Sequence, residues 1–155
     1  MFWETFLKNP LPLFIMTLAI TEPAKQVKTY DHNKNENGFL TELFKDEKKT
    51  LFYLSAARPG AFKGYHLHRV RNARYVCIKG IIKVILYKNK IREEHILDAK
   101  NPQRLFIPTN VATGLLNIGD EEAWIINYPD PPYDPDLKDE QVEYTEEELK
   151  QDIIK

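Results

Sequence analysis

Residues 58–80, RPGAFKGYHLHRVRNARYVCIKG, decide how this chain is read. His66 and His68 stand one residue apart, so on a β-strand both point to the same face. Gly60 and Gly64 flank them, and Lys63, Arg69, Arg71 and Arg74 crowd around them. The whole sequence holds four histidines, so this stretch carries half of them.

Working outward, short runs of strand character recur with polar turns between them. FLTELF (39–44) and LFYLSA (51–56) precede the histidines. RYVCIK (74–79), IIKVILYK (81–88), EEHILD (93–98), RLFIP (104–108), TGLLNI (113–118) and EAWIIN (122–127) follow. DHNKNEN (31–37) ahead of Gly38 is a typical turn cluster. These make about eight short strands at regular intervals, with the histidine stretch among them in the chain. There is no alternation of strands with helices, no heptad and no internal repeat. The expectation is an all-β antiparallel sandwich or barrel. The tail differs: PDPPYDPDLKDE (129–140) is proline-rich and irregular, and Thr145 with Glu148 three residues later predicts a capped short helix.

At 155 residues the chain is long enough for one domain with a real core. A net charge of −1 argues against a general nucleic-acid binder. The single cysteine, Cys77, lies in an apolar run and suits a buried packing role in a reducing compartment. LPLFIMTLAI (11–20) is too short to span a bilayer, and Glu4, a lone Lys8 and the lack of a small-residue cleavage site make a poor signal peptide. It reads as an arm packing on the domain or a partner subunit, or as an upstream extension with Met16 as the working start. The expected division is an arm at 1–24, the barrel domain at 25–135 and a tail with a short helix at 136–155, in a cytoplasmic protein without membrane contact.

The stretch from Gly60 through His66 and His68 resembles half of the first metal motif of cupins, the small jelly-roll barrels. The glutamate that should follow is missing from residues 70–73. The second motif survives as Pro108, Asn110 and Asn117, with Thr113 where its ligand histidine would stand. Two of four ligands are absent, and two histidines alone make a weak metal site. The reading is a cupin without metal or other cofactor.

The resemblance is closer to the dTDP-4-dehydrorhamnose 3,5-epimerases and related sugar-nucleotide cupins. NENGFLTELF (35–44), PGAFKGYHLH (59–68), KGIIKVILY (79–87), RLFIPTNVATGLLNIGDE (104–121) and NYPDPPYDP (127–135) are similar to that family's segments in order and spacing, from about residue 35 to 135. The resemblance implies a cupin jelly-roll acting as a homodimer on a nucleotide-linked 4-keto-6-deoxyhexose, epimerised at C3, C5 or both, in surface-polysaccharide or deoxysugar biosynthesis.

The implied reaction is proton abstraction next to the ketone. It needs a general base near neutral pKa, a cation where the enolate oxygen forms, and an acid on the opposite ring face. His66 takes the position of the family's base. His68 replaces the epimerases' glutamine and completes an H-x-H pair like that of the sugar-nucleotide 3,4-ketoisomerases. The family's lysine falls on Ala73, leaving Arg74, Lys63 and Arg71 as candidate cations. Tyr133 and Tyr128 are candidate acids. Glu42 keeps the family's acidic position, Asn37 replaces an arginine expected to contact phosphate, and Asn117 belongs to the substrate-side motif. The carboxylate that orients the base lies nearer the C-terminus in that family and has no matched position here. Rival expectations are a 3,4-ketoisomerase, a metal-dependent cupin, and a non-catalytic sugar-nucleotide-binding cupin.

Overall fold

The computed structural model describes residues 25–46, 50–153 and 155. Eleven strands form two antiparallel sheets. In chain order they are β1 (Lys25–Tyr30), β2 (Glu36–Asp46), β3 (Thr50–Ala57), β4 (Phe62–His68), β5 (Ala73–Lys79), β6 (Ile81–Lys88), β7 (Ile91–Asp98), β8 (Arg104–Ile107), β9 (Ala112–Asn117), β10 (Ala123–Asn127) and β11 (Gln141–Glu143). One sheet runs β1-β2-β3-β10-β5-β8, the other β11-β4-β9-β6-β7. The late strands β9 and β10 insert between early ones, each returning to a different sheet, and this interleaving is the jelly-roll of a cupin.

The two inner faces meet in one apolar core. Ile82, Val84, Leu97 and Leu115 come from one sheet, and Tyr75, Cys77, Ile107, Ala123 and Ile125 from the other. Burying such side chains removes apolar surface worth about 25 cal/mol per Å² from water. Cys77 is packed inside this core, as its apolar surroundings predict.

β6 is buried on both faces, because Ile85 and Tyr87 on its outer side join a second cluster with Tyr65, Ala112 and Tyr144. Tyr65 meets Tyr87 edge-on with centroids 5.5 Å apart. The helix α1 (Glu146–Gln151) closes over this outer cluster, and Tyr87 donates its hydroxyl to Glu146 at 2.8 Å. Its N-terminus is the capping box the sequence predicts: Thr145 Oγ1 accepts from the Glu148 backbone N–H, and the Glu148 carboxylate accepts from the Thr145 N–H at 2.7 Å. The helix is too short for propensity to sustain it, so the cap and the docking hold it.

Two strands went unread in the sequence. β1 (KQVKTY) is a polar edge strand whose Val27 and Tyr30 stay exposed, so it shows no apolar alternation. β11 is three residues long, yet it pairs with the histidine strand, Gln141 opposite His68 and Glu143 opposite His66. The tail set apart at 136–155 therefore forms an edge of the barrel. Residues 1–24, with the expected arm, lie outside the described residues. Among those described, no helix is long and apolar enough to cross a membrane.

Candidate active site

The inner faces leave a cavity of about 1040 Å³ open to solvent beside β4. Its lining includes His66, His68, Lys63, Glu42, Arg71 and Tyr133, with the core residues Ile107, Leu115 and Ile125 behind them. The alternation that puts both histidines inside would put Lys63 outside. A break in the β4–β9 register between Lys63 and His66 resets the alternation. Gly64 makes the break possible. Its φ is +125°, and a Cβ there would stand 2.6 Å from the Thr113 carbonyl oxygen of β9. Lys63 and the two histidines thus share one wall, while Tyr65 turns away into the outer aromatic cluster.

His68 is anchored. Its Nδ1 lies 3.1 and 3.2 Å from the two carboxylate oxygens of Glu140, a buried acid just ahead of β11. A carboxylate only accepts, so the tautomer that satisfies Glu140 has the proton on Nδ1 and leaves Nε2 as the basic nitrogen. Arg71 Nη2, 3.1 Å from the same Nδ1, then faces it as a charge and makes no hydrogen bond to it. Arg71, also buried, holds Glu140 in turn. Its Nε lies 3.0 Å and its Nη2 2.9 Å from Oε2, and its backbone N–H donates to Oε1 at 3.3 Å. Burial lowers the pKa of His68 and the Arg71 guanidinium lowers it further, against an upward pull from Glu140. Burial pushes Glu140 up, but the bonds from Arg71 and the pull of His68 outweigh it and hold the acid below the usual carboxylate range.

His66 has weaker support. The Gln141 amide nitrogen lies 3.3 Å from its Nδ1 and the exposed Glu143 carboxylate 3.6 Å away. Burial lowers its pKa, Glu143 opposes this, and His32 and Lys63 add to it. Lys63 donates to Thr29 Oγ1 at 2.5 Å, and burial draws its pKa down to about 8. Tyr133 stands half exposed at the rim with the Arg71 guanidinium 5.3 Å from its ring centre.

Three expected site residues lie elsewhere. Arg74 faces out from β5, bridging Asp130 at 3.5 Å and stacking on Phe106 and Tyr128, because Ala73, Tyr75 and Cys77 take the inward positions. Tyr128 stacks on Phe52 with centroids 4.7 Å apart on that same outer face, one residue past the inward Asn127. Asn117 is 1 % exposed, and its amide ties the β9–β10 turn to the end of β3 by donating to the Ala57 and Glu121 carbonyls and accepting from Gly119 N–H. It holds the fold. Asn37 lines the cavity and donates one amide hydrogen to the Phe62 carbonyl at 3.0 Å, and its neutral amide brings no charge to bind phosphate where an arginine would.

The residues the sequence missed are Glu140, Gln141 and Glu143. They sit in an acid-rich tail with no periodicity, and nothing in their spacing distinguishes Glu140 from its neighbours. The donor set does not fit a cupin metal: Thr113 hydrogen-bonds the Val111 carbonyl, and among the described residues no three His, Cys, Asp or Glu side chains converge as ligands.

The family described as polysaccharide biosynthesis C-terminal domain matches residues 33–141. The chain is similar to a Haloferax volcanii protein named "Probable low-salt glycan biosynthesis epimerase Agl13", 28% identical over 130 residues, which are 75% of this chain and 83% of that one. Among solved structures, the capsular polysaccharide assembling protein CapF from Staphylococcus aureus superposes with a TM-score of 0.68 at 18% identity over 78% of this chain. An oxalate decarboxylase superposes at 0.58 with 20% identity over 70%. This chain spans 32% of CapF and 28% of the oxalate decarboxylase, and these likenesses show the barrel fold.

Proposed function

The chain belongs to the polysaccharide biosynthesis C-terminal domain family, and from that premise we propose that it is a sugar epimerase of polysaccharide or glycan assembly. Its substrate is a nucleotide-linked 4-keto-6-deoxyhexose, inverted at a carbon next to the ketone. The glycan epimerase named among its relatives supports the reaction type. The observation that carries the chemistry is a cavity histidine, His68, with one ring nitrogen held by a buried carboxylate.

In this mechanism His68 replaces His66 as the base. Nε2 takes the proton from the carbon, the C–H electrons pass to the carbonyl oxygen, and Glu140 stabilises the imidazolium as it forms. Lys63 on β4, in the sheet opposite the Ala73 position where the family's lysine would stand, meets the enolate oxygen with its ammonium. Tyr133 returns a proton to the opposite face, the enolate collapses to the ketone, and tyrosinate and imidazolium exchange protons with solvent. Product formed in deuterated water therefore carries deuterium at C3 or C5. Incubation with dTDP-4-keto-6-deoxyglucose tests this directly, and an unlabelled sugar recovered after long incubation rejects the reading for that substrate.

The rate depends on two opposite protonation states. His68 must be neutral, and its pKa lies below the ordinary 6.5, so activity rises with pH on the acid side before neutrality. Lys63 must be charged, so activity falls as pH climbs through about 8. Lys63→Met is expected to lower exchange roughly tenfold to a hundredfold and to abolish the alkaline limb; a pH–rate profile of both proteins checks it.

A second reading, a 3,4-ketoisomerase, is favoured by one observation: His66 and His68 both line the cavity from the same strand. Two bases on one face suit proton transfer between adjacent carbons. NMR of the product decides, since isomerisation moves the carbonyl and epimerisation leaves it in place.

A further inference from the structure

Arg71 has no assigned part in proton transfer, yet it touches more of the site's polar groups than any residue so far described. It comes from the β4–β5 turn, its side chain is 8 % exposed, and it makes three bonds to Glu140. Its Nη2 stands 3.1 Å from His68 Nδ1, and its guanidinium lies against the Tyr133 ring. Tyr53 of β3 borders it on the cavity side.

We propose that Arg71 is a positioning residue: its guanidinium fixes the Glu140 carboxylate beneath the Nδ1–H of His68, keeps that imidazole uncharged while the site waits for substrate, and seats Tyr133 beside the same cluster. This rests on the reading of His68 as the base.

The electrostatic logic follows from the geometry. A buried carboxylate alone beside an imidazole would favour the imidazolium, which has no lone pair to abstract a proton. A guanidinium within hydrogen-bond distance of both groups offsets that pull without removing the carboxylate's orienting bond. The charged and titratable groups facing His68 are few. Glu140 comes from the tail, Arg71 from the turn, and His66 from β4 itself. Tyr53 and Tyr133 border Arg71, and the β9 segment Ala112–Asn117 contributes none. Opposite or like charges at such separations shift a pKa by about 1–3 units. Nε and Nη2 converge on Oε2 while the Arg71 backbone N–H holds Oε1, so both carboxylate oxygens are fixed, which a lysine ammonium with its single donor centre does not reproduce.

The test is an NMR titration of the His68 ring in the wild-type chain, Arg71→Met, Arg71→Gln and Arg71→Lys, with the pH–rate profile of hydrogen exchange alongside. In R71M the His68 pKa is expected to rise by about one unit or more, and the acid limb of exchange to move with it. R71Q reports the same shift if R71M fails to fold. R71K, keeping the charge, returns the titration towards wild type while exchange stays reduced. A His68 titration unchanged in both neutral variants overturns the proposal. The titration needs no substrate, so a wild-type protein inactive on keto-sugars would sink the epimerase reading while the role of Arg71 is still decided.

Discussion

Replacing His68 by asparagine is expected to lower incorporation of solvent hydrogen by roughly 10²–10⁴-fold, the usual contribution of a positioned general base. His66→Asn is expected to cost about tenfold, through substrate positioning. The asymmetry comes from what stands behind each ring. Glu140, which holds His68, is itself 6 % exposed and bound by a buried arginine. His66 leans on Gln141 and on a glutamate that is 62 % exposed in its side chain. Only the first arrangement fixes a tautomer in low dielectric, and only there does a carboxylate stabilise the imidazolium as the proton arrives. Asparagine matches part of the imidazole's volume, so both variants should fold with wild-type circular dichroism. Single-turnover exchange measured by mass spectrometry compares them, and a greater loss from His66→Asn would transfer the base to that residue.

Glu140→Ala is expected to destabilise the protein by about 3–5 kcal/mol, the cost of leaving a buried charge without its partner. For a chain of this size that is a fall in Tm on the order of 10 °C. Arg71 would keep its charge without its Glu140 partner, and the tail would lose a buried tie to the turn after β4. The pH dependence has a definite sign. Glu140 titrates lower in the folded protein than its ordinary 4.5, so the stabilisation is complete above that value and is lost as pH falls through the lower, folded pKa. The alanine variant lacks this acid-side loss. Calorimetry between pH 3 and 7 measures both effects, and the double change Arg71→Met with Glu140→Met should recover much of the stability while remaining inactive. If Glu140→Ala melts with wild type, the pair is not a buried tie.

Much of the barrel was legible from residues alone. Strands β2 to β10 announce themselves through alternating or β-branched runs between polar turns, and Thr145 with Glu148 marks the helix start. The same-face placement of His66 and His68 followed from strand geometry. What escaped had specific causes. Tyr128 is a polar-tipped residue beside the right motif whose parity turns it outward, and Arg74 faces out as an ideal strand predicts from its place next to Ala73. Asn117 satisfied a family pattern whose purpose here is bridging backbone. Lys63 was legible as a candidate cation, but the register break beside Gly64 that brings it inward has no sequence signal beyond the glycine itself. Glu140 joins His68 across 72 positions of chain, a separation over which no local pattern carries information.

The tail strand also ties activity to a local conformational equilibrium. β11 is held by three residues of pairing, by the Arg69 N–H to Glu140 carbonyl bond at 2.8 Å, and by Tyr144 against Tyr65. In the proposed mechanism, a molecule whose last twenty residues have detached keeps both histidines on β4 but loses Glu140, and with it a competent base. On that mechanism the fraction of molecules able to turn over is the fraction with the tail docked, and a protease that trims this segment would silence the protein.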